Sequence, residues 1–350
     1  MNKPHPSGTS PLFRRIWQAS AIAALTLTLA GCAGAKQETR PVAGPGVQLT
    51  QLADRVRVEI GGQLFTEYIF KDTPRPYCYP VLGPGGVAMT RNFPMKDVPG
   101  EDRDHKHHRS FWFTHGSVNG VDFWSEDRDF GKIVCEKLTQ VQSGRSAAVI
   151  RSRNNWVSAD GKLICTDDRT LRFHNGPPTE RLVDFEITIH ASNGELVFGD
   201  TKEGTMALRL AETMRLKPNK ENAGKPGGHI VNSEGVRDGD TWSKRAKWCD
   251  YYGPVEGKIV GVAIFDHPLN PRHPTWWHVR DYGLFAANPF GQHDFEKSAS
   301  KNAGDLAIPA GQSVTFRYRF YFHEGDEQQA RVAQRYQEYI KEPAARLTAQ

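Results

Sequence analysis

The chain has 350 residues, 38% hydrophobic and 24% charged, with 33 Gly, 22 Pro and a formal net charge of +5. That length and balance describe one large folded domain or two modest ones and exclude a disordered chain. One stretch, residues 16–30, is continuously poor in charge; it falls short of the roughly 20 apolar residues that cross a bilayer, which excludes a membrane-spanning catalytic body.

Arg14 and Arg15 precede that stretch and Leu29-Ala30-Gly31-Cys32 closes it. A basic start, an apolar run and small residues before a cysteine read as a bacterial lipoprotein signal over residues 1–32, with Cys32 as the lipidated first residue of the mature chain. Ala33 in place of an aspartate points to the outer membrane, with the protein facing the periplasm or the cell surface. The membrane is then met through the lipid alone. Cleavage removes Lys3, Arg14 and Arg15 and no acidic residue, leaving 42 basic against 40 acidic side chains, a net of +2. No long Lys/Arg run remains, so nucleic acid is not an expected partner. Cys78, Cys135, Cys165 and Cys249 stand outside any CxxC pair; the choice is between buried free thiols and up to two disulfides of undetermined pairing.

Residues 33–45 are small, polar and proline-bearing and suit a tether. From Val47 onward hydrophobicity alternates with period two, as in residues 56–60, 182–191 and 314–322. Asn119-Gly120, Asp160-Gly161, Asn193-Gly194 and Glu256-Gly257 fall between such runs as turn signals. Near the end, Asp326 as cap, Gln329 three residues on and Val332, Ala333, Tyr336, Tyr339 and Ile340 at helical spacing predict one helix over 326–342, stopped by Pro343. The expected fold is all-β: a single large antiparallel β-sandwich over residues 46–343, with that C-terminal helix on its outside.

Titratable residues concentrate in 101–126, where Asp102, Asp104, His105, His107, His108 and His115 fall within one short segment. If 109–115 is a strand, His107, Arg109 and His115 share one face and His108 and Trp112 the other. Proton transfer needs only one of these histidines opposed by a carboxylate, for which Glu203, Glu234 and Glu126 are the candidates. The competing reading is a divalent metal site from His105, His107, His115 and Asp104, whose spacing matches no closed template. A solvated histidine-rich loop is the plain alternative. Residues 265–291 form a second concentration, a proline-stiffened loop leading into a strand with Trp276, His278 and Arg280 on one face. Arg109, Trp112, Glu126, Arg272, His273, Trp276, His278, Asp281 and His293 are the expected substrate contacts, indoles stacking on a sugar ring and polar groups bonding its hydroxyls. No GxSxG, Walker loop or dinucleotide fingerprint occurs.

The runs YPVLGPGGVAMTRNFPM, PGEDRDHKHHRSFWFTHGSVNGVDFWSE, WCDYYGPVEGKIVGVAIFDHPLNPRHPTWWHVRDYGLFAANPFG and VTFRYRFYFHEGD together resemble the PmoA-like family of secreted bacterial proteins, which carries the label methane oxygenase. The genuine membrane-bound methane monooxygenase subunit crosses the bilayer several times, which a chain this charged does not do. The resemblance implies a β-sandwich similar to the galactose-mutarotase supersandwich, in genomes devoted to carbohydrate breakdown. In mutarotase-like proteins a histidine acid and a glutamate base act across the sugar, and the counterparts would be His107 or His108 with Glu203 or Glu234. The first expectation is therefore an enzyme acting on a sugar or glycoside by epimerisation, hydrolysis or elimination. A carbohydrate-binding lipoprotein without catalysis is the second, and a metal-dependent oxygenase the third.

Overall fold

The computed structural model describes residues 46–342. The signal with Cys32, the tether and Pro343 lie outside the described residues. Every period-two run becomes a strand, because alternation places one set of side chains on each face of a pleated ribbon. Eight strands form the first sheet, in the spatial order Val47–Gln51, Arg55–Ile60, Gln63–Ile69, Tyr77–Val81, Phe111–His115, Gly204–Arg209, Leu284–Asn288 and Trp276–Val279. Eight more form the second, in the order His229–Asn232, Trp248–Val255, Lys258–Asp266, Ser313–Glu324, Glu180–His190, Leu163–His174, Ala147–Val157 and Lys132–Gln142. A two-stranded ribbon, Leu196–Phe198 with Leu306–Ile308, stands beside them. All pairings are antiparallel, which lets each sheet bury one face and keep the other for other uses. The all-β sandwich expected from the sequence is the fold observed.

The core lies between the two sheets. Phe111 meets Phe320 with ring centroids 4.4 Å apart, and Phe113 stacks on Phe185 at 5.9 Å. Trp277 fills the same layer, its indole N–H donating to the Ala246 carbonyl at 3.0 Å. Glu256-Gly257 closes the hairpin between Trp248–Val255 and Lys258–Asp266 with φ of 50° and 81°. Left-handed backbone at both central residues is what a type I′ hairpin turn requires, and glycine supplies it without strain at the second.

The helix is shorter than expected. Asp326 and Gln329 do bond each other's backbone N–H, at 2.8 and 3.1 Å. Arg331 nevertheless turns left-handed at φ 52°, so the regular helix runs Val332–Lys341 only. Its Tyr336 and Tyr339 pack on Phe265, on the outer face of the second sheet. No helix among the described residues is long and apolar enough to cross a membrane. All four described cysteines are free thiols, so the disulfide alternative falls. Burial pushes the Cys78 thiol up to about 12 and the Cys135 thiol up to about 11, leaving both inert.

The outer face of the first sheet carries the site. Trp112, Ala207, Leu284 and Ala286 project there and form a separate apolar patch with Tyr77 and Trp124. The long connections between Tyr77–Val81 and Phe111–His115, and between Phe111–His115 and Lys132–Gln142, fold over that patch.

Candidate functional site

Arg91 suspends the histidine loop. Fully buried, it donates to the carbonyls of Phe93 (3.1 Å), Asp102 (3.2 Å), Asp104 (2.9 Å) and His105 (3.1 Å), and to the Asp104 carboxylate. Five donors in a rigid fork suit a loop whose own backbone has no strand to pair with. Asp104 also receives Arg209 at 2.9 Å and His105 at 2.7 Å. Burial alone would raise the Asp104 carboxyl, but the His105 hydrogen bond and the Arg209 and Arg91 guanidiniums hold it well below the usual carboxylate range. A second ion group anchors the other connection. The buried Arg75 donates to Glu126 at 2.9 Å and to the carbonyls of His107, Phe123 and Trp124, while Arg109 grips Glu126 at 2.7 and 2.6 Å.

Between these anchors the rings stack. His105 lies parallel to Tyr282 (5.0 Å, 7°) and to His108 (4.7 Å, 6°), His108 lies on Trp112 (5.3 Å), and His107 meets His108 edge-on at 4.6 Å. Ser110 takes φ 61°, which ends strand alternation before Phe111. The face assignment expected for His107 therefore fails, and His105, His107 and His108 gather on the Trp112 side. His115 alone continues the strand. It is buried against Phe198 and Phe290, with Nε2 donating to the Gly199 carbonyl at 2.7 Å.

A cleft of about 410 Å³ opens over this stack, lined by His105, His107, Gly116, Asp122, Trp124, Ser125, Thr201, Lys202, Glu203, His278, Arg280 and Tyr282. Three imidazoles and a glutamate from three separate segments thus converge. Burial, reinforced by the Arg75 charge, pulls His107 down to about 4, and burial pulls His278 down to about 3. Both rings are neutral at physiological pH. Two of the neutral rings near the cleft have a defined tautomer. The His278 Nδ1–H donates to the Lys202 carbonyl at 2.6 Å, which leaves Nε2 as a lone pair. Arg209 can only donate, so His108 Nδ1 accepts from it at 3.1 Å and His108 carries its proton on Nε2. Of the two cleft carboxylates, Asp122 accepts from the Trp124 N–H at 2.7 Å, the Ser125 N–H at 3.1 Å and the Ser125 hydroxyl, shaping its own turn. Among the described residues the Glu203 carboxylate is held only by the Lys202 ammonium at 3.5 Å.

The expected site residues divide accordingly. His107, Glu203 and His278 reach the cleft, and His108 lies directly beneath it. Glu234 does not; it sits in an exposed turn of the second sheet with its carboxylate on the Ser233 hydroxyl. Glu126 accepts from both Arg109 and Arg75, which ties Glu126 and Arg109 to each other rather than to a substrate. Trp112 is a buried shelf under His108. Arg272 staples the carbonyls of Pro289, Gly304 and Asp305, and His273 bonds Asp266 at 2.7 Å. Trp276 donates to Glu296 at 3.0 Å beneath Arg245. The His293 ring closes on the Ser298 carbonyl, and the Asp281 carbonyl accepts from Lys217. None of these lines the cleft. Of the metal candidates, His105 and His107 line the cleft and His105 bonds Asp104, but Asp104 is taken up by arginines, His115 is turned into the Phe198 and Phe290 side, and among the described residues no three His, Cys, Asp or Glu side chains are grouped to hold an ion. Sequence reasoning missed Arg280, Tyr282, Lys202 and the buried Arg75, Arg91 and Arg209. For Tyr282 a signal existed, the Asp281-Tyr282-Gly283 turn at the end of a strand, where Gly283 takes φ 91°.

A family model matches residues 55–337. The chain belongs to DUF6807, a family of unknown function. Neither the methane-oxygenase label nor a mutarotase-like fold follows from membership of DUF6807. No curated protein matches this DUF6807 chain in sequence. Among solved structures it is similar to a protein assigned as a kojibiose phosphorylase, from human microbiome, at 8% identity and a TM-score of 0.29, covering 67% of this chain and 27% of that one. It is also similar to a polysaccharide lyase at 10% identity and a TM-score of 0.30, covering 82% of this chain and 34% of that one. The DUF6807 chain thus spans about a third or less of the length of these two structures.

Proposed function

We propose that the cleft is the active site of a carbohydrate-directed enzyme that moves a proton on a sugar, leading to epimerisation or elimination. The observation that carries this reading is the meeting of neutral histidines with one carboxylate, Glu203, that among the described residues is neither tied into its own turn nor held by a guanidinium. Glu203 acts as the base. His107 acts as a neutral N–H donor to the oxygen on which charge develops, a role a ring of lowered pKa performs better than an imidazolium that must first lose its proton. The His278 lone pair accepts from a substrate hydroxyl, and the partly exposed edge of Tyr282 meets the apolar side of a pyranose. Hydrolysis by paired carboxylates is less well supported, since Asp122 is bonded at both oxygens and one free carboxylate remains. A binding protein without catalysis would present exposed indoles, whereas Trp112, Trp124 and Trp276 are all buried. The domain is proposed to hang from a lipid on Cys32 at the outer membrane, facing the periplasm or the cell surface, after a signal over 1–32 and a tether over 33–45.

The test is turnover of free sugars, glycosides and oxidised glycosides by the full-length protein in mild detergent, followed by NMR. Proton exchange or a new product is expected with the native chain, with Glu203→Gln slower by about 10²–10⁴-fold. Ligand line broadening with no turnover by any substrate would overturn the enzyme reading in favour of a binding lipoprotein.

A further inference from the structure

We propose that Arg280 is an anion subsite and that the sugar taken by the cleft carries a carboxylate, as a uronic acid unit does. This rests on the carbohydrate reading above and names its substrate class.

Arg280 differs from every other arginine around the site. Arg75 and Arg109 share Glu126, Arg91 and Arg209 share Asp104, and Arg215 holds Asp102 and Glu212. Arg280 follows the Trp276–Val279 strand, tied by its backbone N–H to the Leu284 carbonyl at 2.7 Å. Its guanidinium rests on two rings, 5.5 Å from the Trp242 centroid and 5.7 Å from that of Tyr282. Among the described residues no carboxylate pairs with it. Aromatic faces hold the plane of a guanidinium while leaving its N–H edge free, which is how a ready-made fork for a planar carboxylate is built. The acids of the cleft do not neutralise this charge, because Asp122 is bonded by its own turn and Glu203 lies against Lys202. The same positive charge is felt next door, where after burial Arg280 and Lys202 both help to keep His278 deprotonated.

A carboxylate fixed on Arg280 also makes the chemistry coherent. Glu203 removes the proton from the carbon that bears the carboxylate. The electron pair of that C–H bond moves into the carboxylate, giving an enediolate whose charge Arg280 and a histidine N–H stabilise. The intermediate then either takes a proton from water on the opposite face, giving the epimer while Glu203 releases its proton to the solvent, or its electron pair returns to form a C=C bond to the next carbon as the C–O bond there breaks, the leaving oxygen taking the proton that Glu203 removed. Neither route needs an oxidant or reductant. A phosphate would meet the same fork but would not acidify a neighbouring C–H in this way.

Calorimetric titration of the full-length protein in mild detergent tests this with methyl glucuronide and methyl galacturonide, their neutral methyl glycosides, glucose 6-phosphate and malonate. The uronides are expected to bind at least about tenfold more tightly than the neutral glycosides, with the advantage lost in Arg280→Gln and partly kept in Arg280→Lys. The native comparison decides the matter even if a variant fails to fold. Equal binding of uronides and neutral glycosides would overturn the subsite and leave the carbohydrate reading standing. Tighter binding of the sugar phosphate would overturn the carboxylate assignment. Malonate binding as well as the uronides would overturn sugar recognition itself, and no binding of any probe would overturn both proposals.

Discussion

Glu126 accepts from Arg75 and Arg109 in a nearly closed setting, its side chain 7% exposed and that of Arg75 1%, while Glu203 is 40% exposed beside one lysine. Removing one partner of a buried ion pair strands the other charge, so Glu126→Gln is expected to cost about 3 kcal/mol or more in urea unfolding. Glu203→Gln is expected to stay within about 0.5 kcal/mol of the native chain while turnover collapses. An unstable Glu203→Gln that folds poorly would show the carboxylate to be framework, and a stable Glu126→Gln would show that Arg75 is satisfied by carbonyls alone. At this scale the sequence reveals which side chains have the right chemistry but not which are already taken. Glu126, Arg109 and Arg272 look like substrate contacts in a string of letters. Only the fold brings Arg75 to Glu126 across 51 positions, or Arg272 to the carbonyls of Gly304 and Asp305.

Elements were more legible than residues, for a physical reason. A strand needs only its own alternation, so 182–191 and 314–322 declare themselves and pair in the second sheet as Glu180–His190 and Ser313–Glu324. A loop conformation depends on what it folds over, and the left-handed Ser110 that collects three histidines on one side has no signature in its neighbours. The C-terminal helix falls between these cases. Its capping residues and apolar spacing are both present, yet the turn at Arg331 displaces its start, since docking of Tyr336 and Tyr339 fixes where the helix must lie. Tyr339 touches Phe265 at 6.0 Å and His267 at 5.2 Å and lies 4.6 Å below the Arg319 guanidinium. Tyr339→Ala is therefore expected to lose about 3–5 kcal/mol, whereas Asp326→Ala should lose only about 1 kcal/mol as a cap. Denaturant midpoints check both, and the reverse order would mean that the turn, not the docking, holds the helix.

Over the whole molecule the two-sheet plan was readable from alternation and turn spacing, but the burial of so many histidines was not, and it sets how stability responds to acid. Burial holds His107, His115 and His267 at about 4 and His278 at about 3, each below the roughly 6.5 of an unfolded chain. Between pH 6.5 and 4 the unfolded chain therefore binds more protons than the folded one, so stability falls as pH falls through that window. For His115, wholly buried, the contribution is on the order of 3 kcal/mol. His323 works the other way. Although burial lowers it, the adjacent Asp250 carboxylate raises it overall, and its contribution is full below the unfolded value and lost as pH rises through its folded one. Asp266 and Glu212, raised by burial, oppose the trend in the same sense as His323, while His108, lowered by burial, adds to it and brings the lowered rings to five. Below pH 4 a second loss begins, because Arg319 and His174 outweigh burial and hold Asp184 at about 2, and that stabilisation disappears as pH drops from about 4 toward 2. The urea midpoint is thus expected to fall steadily from pH 6.5 downward, well before the carboxylates titrate, and His115→Gln should flatten part of that slope by removing one proton acceptor from the unfolded chain. A midpoint constant between pH 6.5 and 4.5 would mean that the buried rings reach water or carry charge in the folded state. The neutral donor role assigned to His107 would then fall with them.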